Sequence, residues 1–154
     1  MSVKQAARQQ YQAIVDRAAP HALAMGMPTE GWLRTVRKAL GMSGAQLARR
    51  MGVTRARIAN VELAELSGGV TVKSMRAAAE ALGCRFVYAI VPAENVEDLV
   101  VEQARKKAAA IVGAASKHMA LESQTLPDAK IAQEITRLMR DIAHEMPPDL
   151  WNDK

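Results

Sequence analysis

Gln46–Glu62 reads QLARRMGVTRARIANVE, two helix-like runs separated by Gly52-Val53-Thr54. Two helices held across so short a break need specific residue types. The first must carry a small residue where the second crosses it, and Ala48 stands there. The break needs a residue that tolerates positive φ, which Gly52 does. Leu47, Met51, Val53, Ile58 and Val61 fall on the inward positions, and no charged residue does. Just upstream, Ser43 and Gln46 have the spacing of a capping box, in which each side chain satisfies the other's backbone N–H. Thr54 stands where it can cap the second helix. The spacing predicts a first helix ending near Met51 and a second running to about Glu65. A bundle with merely solvated arginines has no need of this Ala48–Gly52 register. The pattern is that of a helix-turn-helix.

If Ile58 and Val61 face inward, Arg55, Ala56, Arg57 and Asn60 face outward. Arg bonds guanine O6 and N7 through two N–H groups, Asn pairs with adenine N6 and N7, and Ala can meet a thymine methyl. Base readout is therefore assigned to Arg55 and Asn60 first. Arg57 suits a base or a phosphate, and Ala56 an apolar contact. Arg34, Arg37, Lys38, Arg49 and Arg50 are candidates for phosphate contacts or for solvated surface. Ser43, Gln46 and Thr54 sit at the helix starts, where backbone N–H groups favour phosphate.

Charge is unevenly placed along the 154 residues. Trp32–Glu62 holds seven Lys/Arg against one Asp/Glu, a local +6. Ala93–Lys154 holds eight against eleven, a local −3. The basic island suits a polyanion; the acidic end suits a protein partner or plain solvation. Half the residues are apolar but only 3% aromatic, with Ala, Leu, Val, Ile and Met dominant, which favours helices. The single cysteine, Cys84, precludes an internal disulfide and fits a reducing cytoplasm. No run has membrane-span length, and MSVKQAARQQ lacks a hydrophobic signal core. A cytoplasmic protein is expected.

Around the central unit, periodicity predicts a helix over 3–19 with Ala7, Tyr11, Ile14 and Ala18 at helical spacing, ended by Pro20. Trp32, Leu33, Val36 and Leu40 share one side of a helix stopped by Gly41. Thr71 caps a helix through Leu82, with Met75, Ala78, Ala79 and Leu82 inward and Gly83 ending it. Two further helices cover 94–122 and 128–145. Val96, Val100, Ala104, Ala108, Ile111, Ala115 and Met119 form an alanine-rich stripe on the first, expected to pack on the second. Between the two halves, RFVYAIVP is rich in β-formers and is expected as a strand. It has no evident partner in its own chain. The expectation is pairing of Phe86, Val87, Tyr88, Ala89, Ile90 and Val91 with the same segment of a second subunit. An internal partner or an irregular segment are the alternatives.

MSGAQLARRMGVTRARIANVE, followed by TVKSMRAAAEALG, resembles the phage-repressor (Cro/CI, or XRE) type of helix-turn-helix over about 32–83. GWLRTVRKALGMSGAQLARRMGV, AAAEALGCRFVYAIVP and the terminal LWND resemble a narrower family called mobile mystery protein A, over nearly the whole chain. The resemblance implies a lambda-repressor-like bundle and a DNA-binding regulator encoded on mobile elements beside a Fic-domain protein. That neighbour makes a Fic-domain partner, with an antitoxin-like or inhibitory role, the alternative function. Fic inhibitors with a Ser/Thr-x-x-x-Glu-Gly/Asn helix are not matched here: Glu30-Gly31 follows Gly26, and Glu94-Asn95 follows Ile90. Many repressors of this type place Gln directly after the Ser that opens the first helix of the motif, where it touches a phosphate. Here Gly44 stands at that position.

The catalytic and metal readings are weak. His21, His118 and His144 are scattered, and HExxH does not occur. His118 and Glu122 are four apart on one helix, but two ligands do not make a zinc site. Cys84 suits a small buried residue rather than a nucleophile. SGGVTVKS lacks the Gly before Lys that a phosphate loop needs. The expectation is a mainly α, non-enzymatic protein without cofactor or metal. It is divided into an N-terminal helix and linker (1–31), a DNA-binding domain (32–83), a dimerising strand (84–92) and a C-terminal helical region (93–154). It is expected to bind double-stranded DNA as a homodimer on an inverted repeat and to repress its own operon.

Overall fold

A computed structural model describes residues 2–153, and among these the chain forms seven helices. They are α1 (Val3–Ala24), α2 (Trp32–Ala39), α3 (Gly44–Met51), α4 (Arg55–Ser67), α5 (Val72–Ala81), α6 (Val96–Leu121) and α7 (Asp128–Glu145). The chain divides into two compact units, Leu23–Ala89 and the paired segments 1–22 and 90–154.

In the unit spanning 23–89, four short helices surround one core. Leu33, Leu47, Ala48, Ile58, Val61, Met75, Ala78 and Leu82 are buried together, with Val36, Met42, Met51 and Phe86 packed against them. Within each helix these residues stand at helical spacing, so each helix turns one stripe inward, and Met42 and Phe86 join the core from outside the helices. Side chains at the helix starts take up amide N–H groups that would otherwise be unbonded: Ser43 caps α3, Thr54 caps α4 and Thr71 caps α5. Gly41 and Gly83, both in the left-handed region, end α2 and α5 as expected. Three expectations of an apolar, core-facing side fail. Trp32, Leu40 and Val53 are 38%, 54% and 37% exposed, each lying at a helix end.

The other unit holds α1 and the antiparallel pair α6 and α7. Val100, Ala104 and Ala108 are buried with Ile142 and Leu150. The alanine stripe thus packs on the last helix over its first half. Farther on, Ile111 is 53% exposed and Ala115 is also exposed. The tail closes this core with Leu150 rather than with the larger Trp151, which is 56% exposed. Gln103 fixes it there, donating Nε2–H to the Leu150 carbonyl at 3.0 Å and to Asp153 at 2.8 Å.

Two expectations are overturned. Pro20 does not end α1, which continues to Ala24. A proline inside a helix forfeits one backbone bond and crowds the carbonyl four residues back, a local cost. Ala19, 1% exposed beside it, is held in the helix by packing. Nor is there a β-strand among the described residues: 84–92 is irregular. β-propensity reports fit to a pleated, half-buried surface with neighbours, and no segment among the described residues offers a ladder. Phe86 turns into the core and stacks on Tyr88 with centroids 5.6 Å apart, while Val87, Ala89 and Ile90 stay exposed and Val91 is half-buried.

Candidate nucleic-acid interface

The start of α3 is fixed by its capping box. Ser43 Oγ accepts the Gln46 N–H at 3.1 Å, and Gln46 Oε1 accepts the Ser43 N–H at 2.7 Å. Both side chains are engaged, but the Gln46 amide nitrogen is not, and the N–H groups of Gly44 and Ala45 lie in the first helical turn, which lacks carbonyl partners of its own. A Cβ on Gly44 would meet nothing within 4 Å.

Gly52 makes the turn with φ 68° and ψ 31°. Its N–H donates to the Arg49 carbonyl at 3.3 Å and the Val53 N–H to Ala48 at 2.9 Å, the bonding of a Schellman cap. Thr54 Oγ1 then accepts the Arg57 N–H at 3.1 Å and starts α4. Ile58 and Val61 are buried, 3% and 7% exposed. The opposite face presents Arg55, Ala56, Arg57, Ala59 and Asn60 to solvent. Leu63, 63% exposed, continues that face one turn on. It was absent from the sequence reading, although the 3.6-residue period that gave Ala56 and Asn60 also reaches it.

Behind this face, two glutamates of α4 grip α2. Glu62 accepts Arg37 Nε–H at 2.6 Å and Nη2–H at 3.2 Å, and Arg37 Nη1–H reaches the Met42 carbonyl at 3.0 Å. The two side chains are only 13% and 11% exposed. The Glu62 carboxylate holds the Arg37 guanidinium above its ordinary pKa. One turn on, Glu65 accepts the N–H groups of Trp32 at 2.5 Å and Leu33 at 2.9 Å. It thereby caps α2, whose own N-cap residue, Gly31, has no side chain to do so. Gly31 has φ 83°, and a Cβ there would lie 2.9 Å from the Glu65 carboxylate. Neither glutamate was singled out from sequence. Their partners are 25 and 32–33 residues away, beyond any local pattern.

The basic residues named as phosphate or surface candidates are therefore not alike. Arg37 is neither solvated nor outward; it is an internal tie. Lys38 pairs with Glu30 at 2.9 Å on the surface, and holds the Glu30 carboxyl below its usual range. Arg50 Nε–H donates to the Ala81 carbonyl at 2.7 Å, tying α3 to the end of α5. Arg34, Arg49, Arg55 and Arg57 are exposed, with no side-chain hydrogen bond or ion pair among the described residues. Two short helices, a left-handed glycine turn and an exposed arginine–asparagine face are the parts of a groove-reading motif.

Residues 33–88 match the helix-turn-helix family model. No curated protein and no solved structure matches the chain. The helix-turn-helix domain so matched takes in α2 to α5 and the start of the irregular segment, and the match supports DNA binding of the XRE class. Its second helix, α4, is the one whose outer face carries Arg55 and Asn60. Among the described residues no group of three or more His, Cys, Asp or Glu is placed to hold a metal. His118 and Glu122 form only an exposed pair, 3.2 Å apart. Among the described residues no helix is long and apolar enough to cross a membrane.

Proposed function

We propose that the chain is a sequence-specific transcriptional repressor of the XRE class that binds an inverted repeat as a homodimer and represses its own operon. The observation that carries this reading is the α4 face. Arg55, Ala56, Arg57 and Asn60 are exposed on one side of a helix whose other side is buried and clamped. Arg55 and Asn60 read bases, Ala56 meets a thymine methyl, and Arg57 takes a base or a phosphate. Arg34 and Arg49, with the α3 start at Ser43, Gly44 and Gln46, take the backbone. The narrower resemblance over nearly the whole chain supports the autoregulatory, antitoxin-like role.

For the second subunit, the apolar residues after α5 are the candidate contact. Val87, Tyr88 and Ile90 are 60%, 64% and 91% exposed, apolar side chains that a monomer leaves in water. A two-fold through them sets two α4 helices into major grooves about 34 Å apart. The test is a gel shift with the DNA upstream of the protein's own gene against random competitor. Binding resisted by random DNA is expected, and Arg55→Ala costs about 1–3 kcal/mol on the cognate site alone. Equal competition by the two DNAs refutes the specific-repressor reading.

A further inference from the structure

Val3, Tyr11 and Ile14 of α1 are 89%, 71% and 62% exposed, whereas Gln5, Arg8 and Gln12 in its first half are half-buried; in its second half Val15, Ala18 and Ala19 are the shielded side chains. Helices in soluble domains ordinarily bury the apolar stripe. Here Gln5, Arg8, Gln9 and Gln12 stand at helical spacing along one wall of an open cleft of about 740 Å³. Two polar contacts fasten the wall. The Arg8 guanidinium donates to the Met146 carbonyl at the end of α7, at 3.5 Å, and Asp16 accepts the Val96 N–H at the start of α6, at 2.8 Å. Opposite stand Arg140 and His144 of α7 and Glu97 of α6, over a floor that includes Val100 and Ala143. Gln9 is exposed and Gln5 and Gln12 are half-buried, so this wall of the cleft stays in contact with water.

We propose that this cleft is a binding site for a small organic anion that also carries hydroxyl groups, a polycarboxylate or a sugar phosphate. The cleft lies within the usual size of small-molecule sites, roughly 300–1,000 Å³. Arg8 makes one long bond to a carbonyl, and Arg140 makes no ion pair among the described residues, so two guanidiniums remain for a planar or tetrahedral oxyanion. The Gln9 and Gln12 amides donate to and accept from hydroxyls, Gln5 offers its Nε2–H groups because its Oε1 already accepts the Ser2 N–H at 2.9 Å, and Glu97 accepts a hydroxyl hydrogen. The apolar floor excludes water beneath the ligand.

The site is independent of the DNA-binding reading, and its test contains no DNA. Isothermal calorimetry on the full chain uses citrate, ribose 5-phosphate and inorganic phosphate as probes. Saturable one-to-one binding of citrate or ribose 5-phosphate is expected, tighter than that of inorganic phosphate; which of the two organic anions binds tighter distinguishes the carboxylate from the phosphate source. Arg8→Gln and Arg140→Gln each weaken it at least tenfold, whereas Arg137→Gln, whose charge lies outside the cleft and is paired with Glu134 and Asp141, leaves it unchanged. Should Arg8→Gln lose helix content by circular dichroism, Gln9→Ala with Gln12→Ala on the same wall reports instead, and weakening of the organic anions relative to phosphate is expected. No saturation by any probe up to about 10 mM overturns the site. So does binding that survives the Arg140→Gln change or is equal for all three anions, an adventitious ion only.

Discussion

At the scale of single residues, Gly44 is where this interface departs from the repressors it resembles. Many of them carry glutamine there, directly after the capping serine, reaching a phosphate. In this chain the capping box survives without it, since Ser43 and Gln46 satisfy each other. What is lost is one side chain's reach beyond the helix start. The position is open: a Cβ would meet nothing within 4 Å, and Gly44 is not in the left-handed region. Gly44→Gln is therefore expected to fold without strain and to tighten DNA binding. A single net hydrogen bond is worth about 0.5–1.5 kcal/mol, roughly two- to tenfold in Kd. Melting temperature should hold or rise slightly, because glycine is a poor helix residue. Measured affinity on the cognate operator decides it: unchanged or weaker binding means that the α3 start does not approach the backbone.

At the scale of elements, the aim of α4 is set by its two glutamate ties to α2. They differ in kind. The Arg37–Glu62 pair is an ion pair largely out of water, so removing one partner leaves the other charge stranded. Glu62→Ala is expected to cost about 3 kcal/mol in stability, the lower end of the range for breaking a buried pair. Glu65 instead accepts two backbone N–H groups, and a glutamine can still accept one, so Glu65→Gln should cost about 1 kcal/mol, a typical cap loss. Urea unfolding of both variants checks the order; a Glu62→Ala loss no larger than that of Glu65→Gln contradicts it. Sequence exposed one side of this arrangement and hid the other. The caps Ser43 and Thr54, the glycines 41, 52 and 83, and the inward Leu47, Ala48, Ile58 and Val61 are local signals, and each stands where its spacing put it. The glutamate ties are tertiary and were invisible. Pro20 and RFVYAIVP misled for one reason: both were read from intrinsic preference, which the burial of Ala19 and the want of a ladder partner outweighed.

At the scale of the whole molecule, these ties change how much charge the protein brings to DNA. The formal count over Trp32–Glu62 is seven cations. Arg37 is held by Glu62, Lys38 by Glu30, and Arg50 by the Ala81 carbonyl. Arg34, Arg49, Arg55 and Arg57 remain without ties among the described residues. Each phosphate neutralised releases counterions, and log K falls with log salt at a slope of about −0.9 per contact. With Arg55 on a base, Arg34, Arg49 and Arg57 give about three phosphate contacts per protomer, a slope near −2.7, and about −5 for the dimer; with the three tied cations added the dimer would give about −11. Fluorescence anisotropy of a labelled operator across a salt series measures the slope directly. A value near −5 supports two protomers each using the untied arginines. A value near −2.7 means one protomer per site and removes the homodimer from the reading. A value near −11 means that the ties open on DNA, and then Glu62→Ala, by releasing Arg37 beforehand, should leave the slope unchanged while lowering stability.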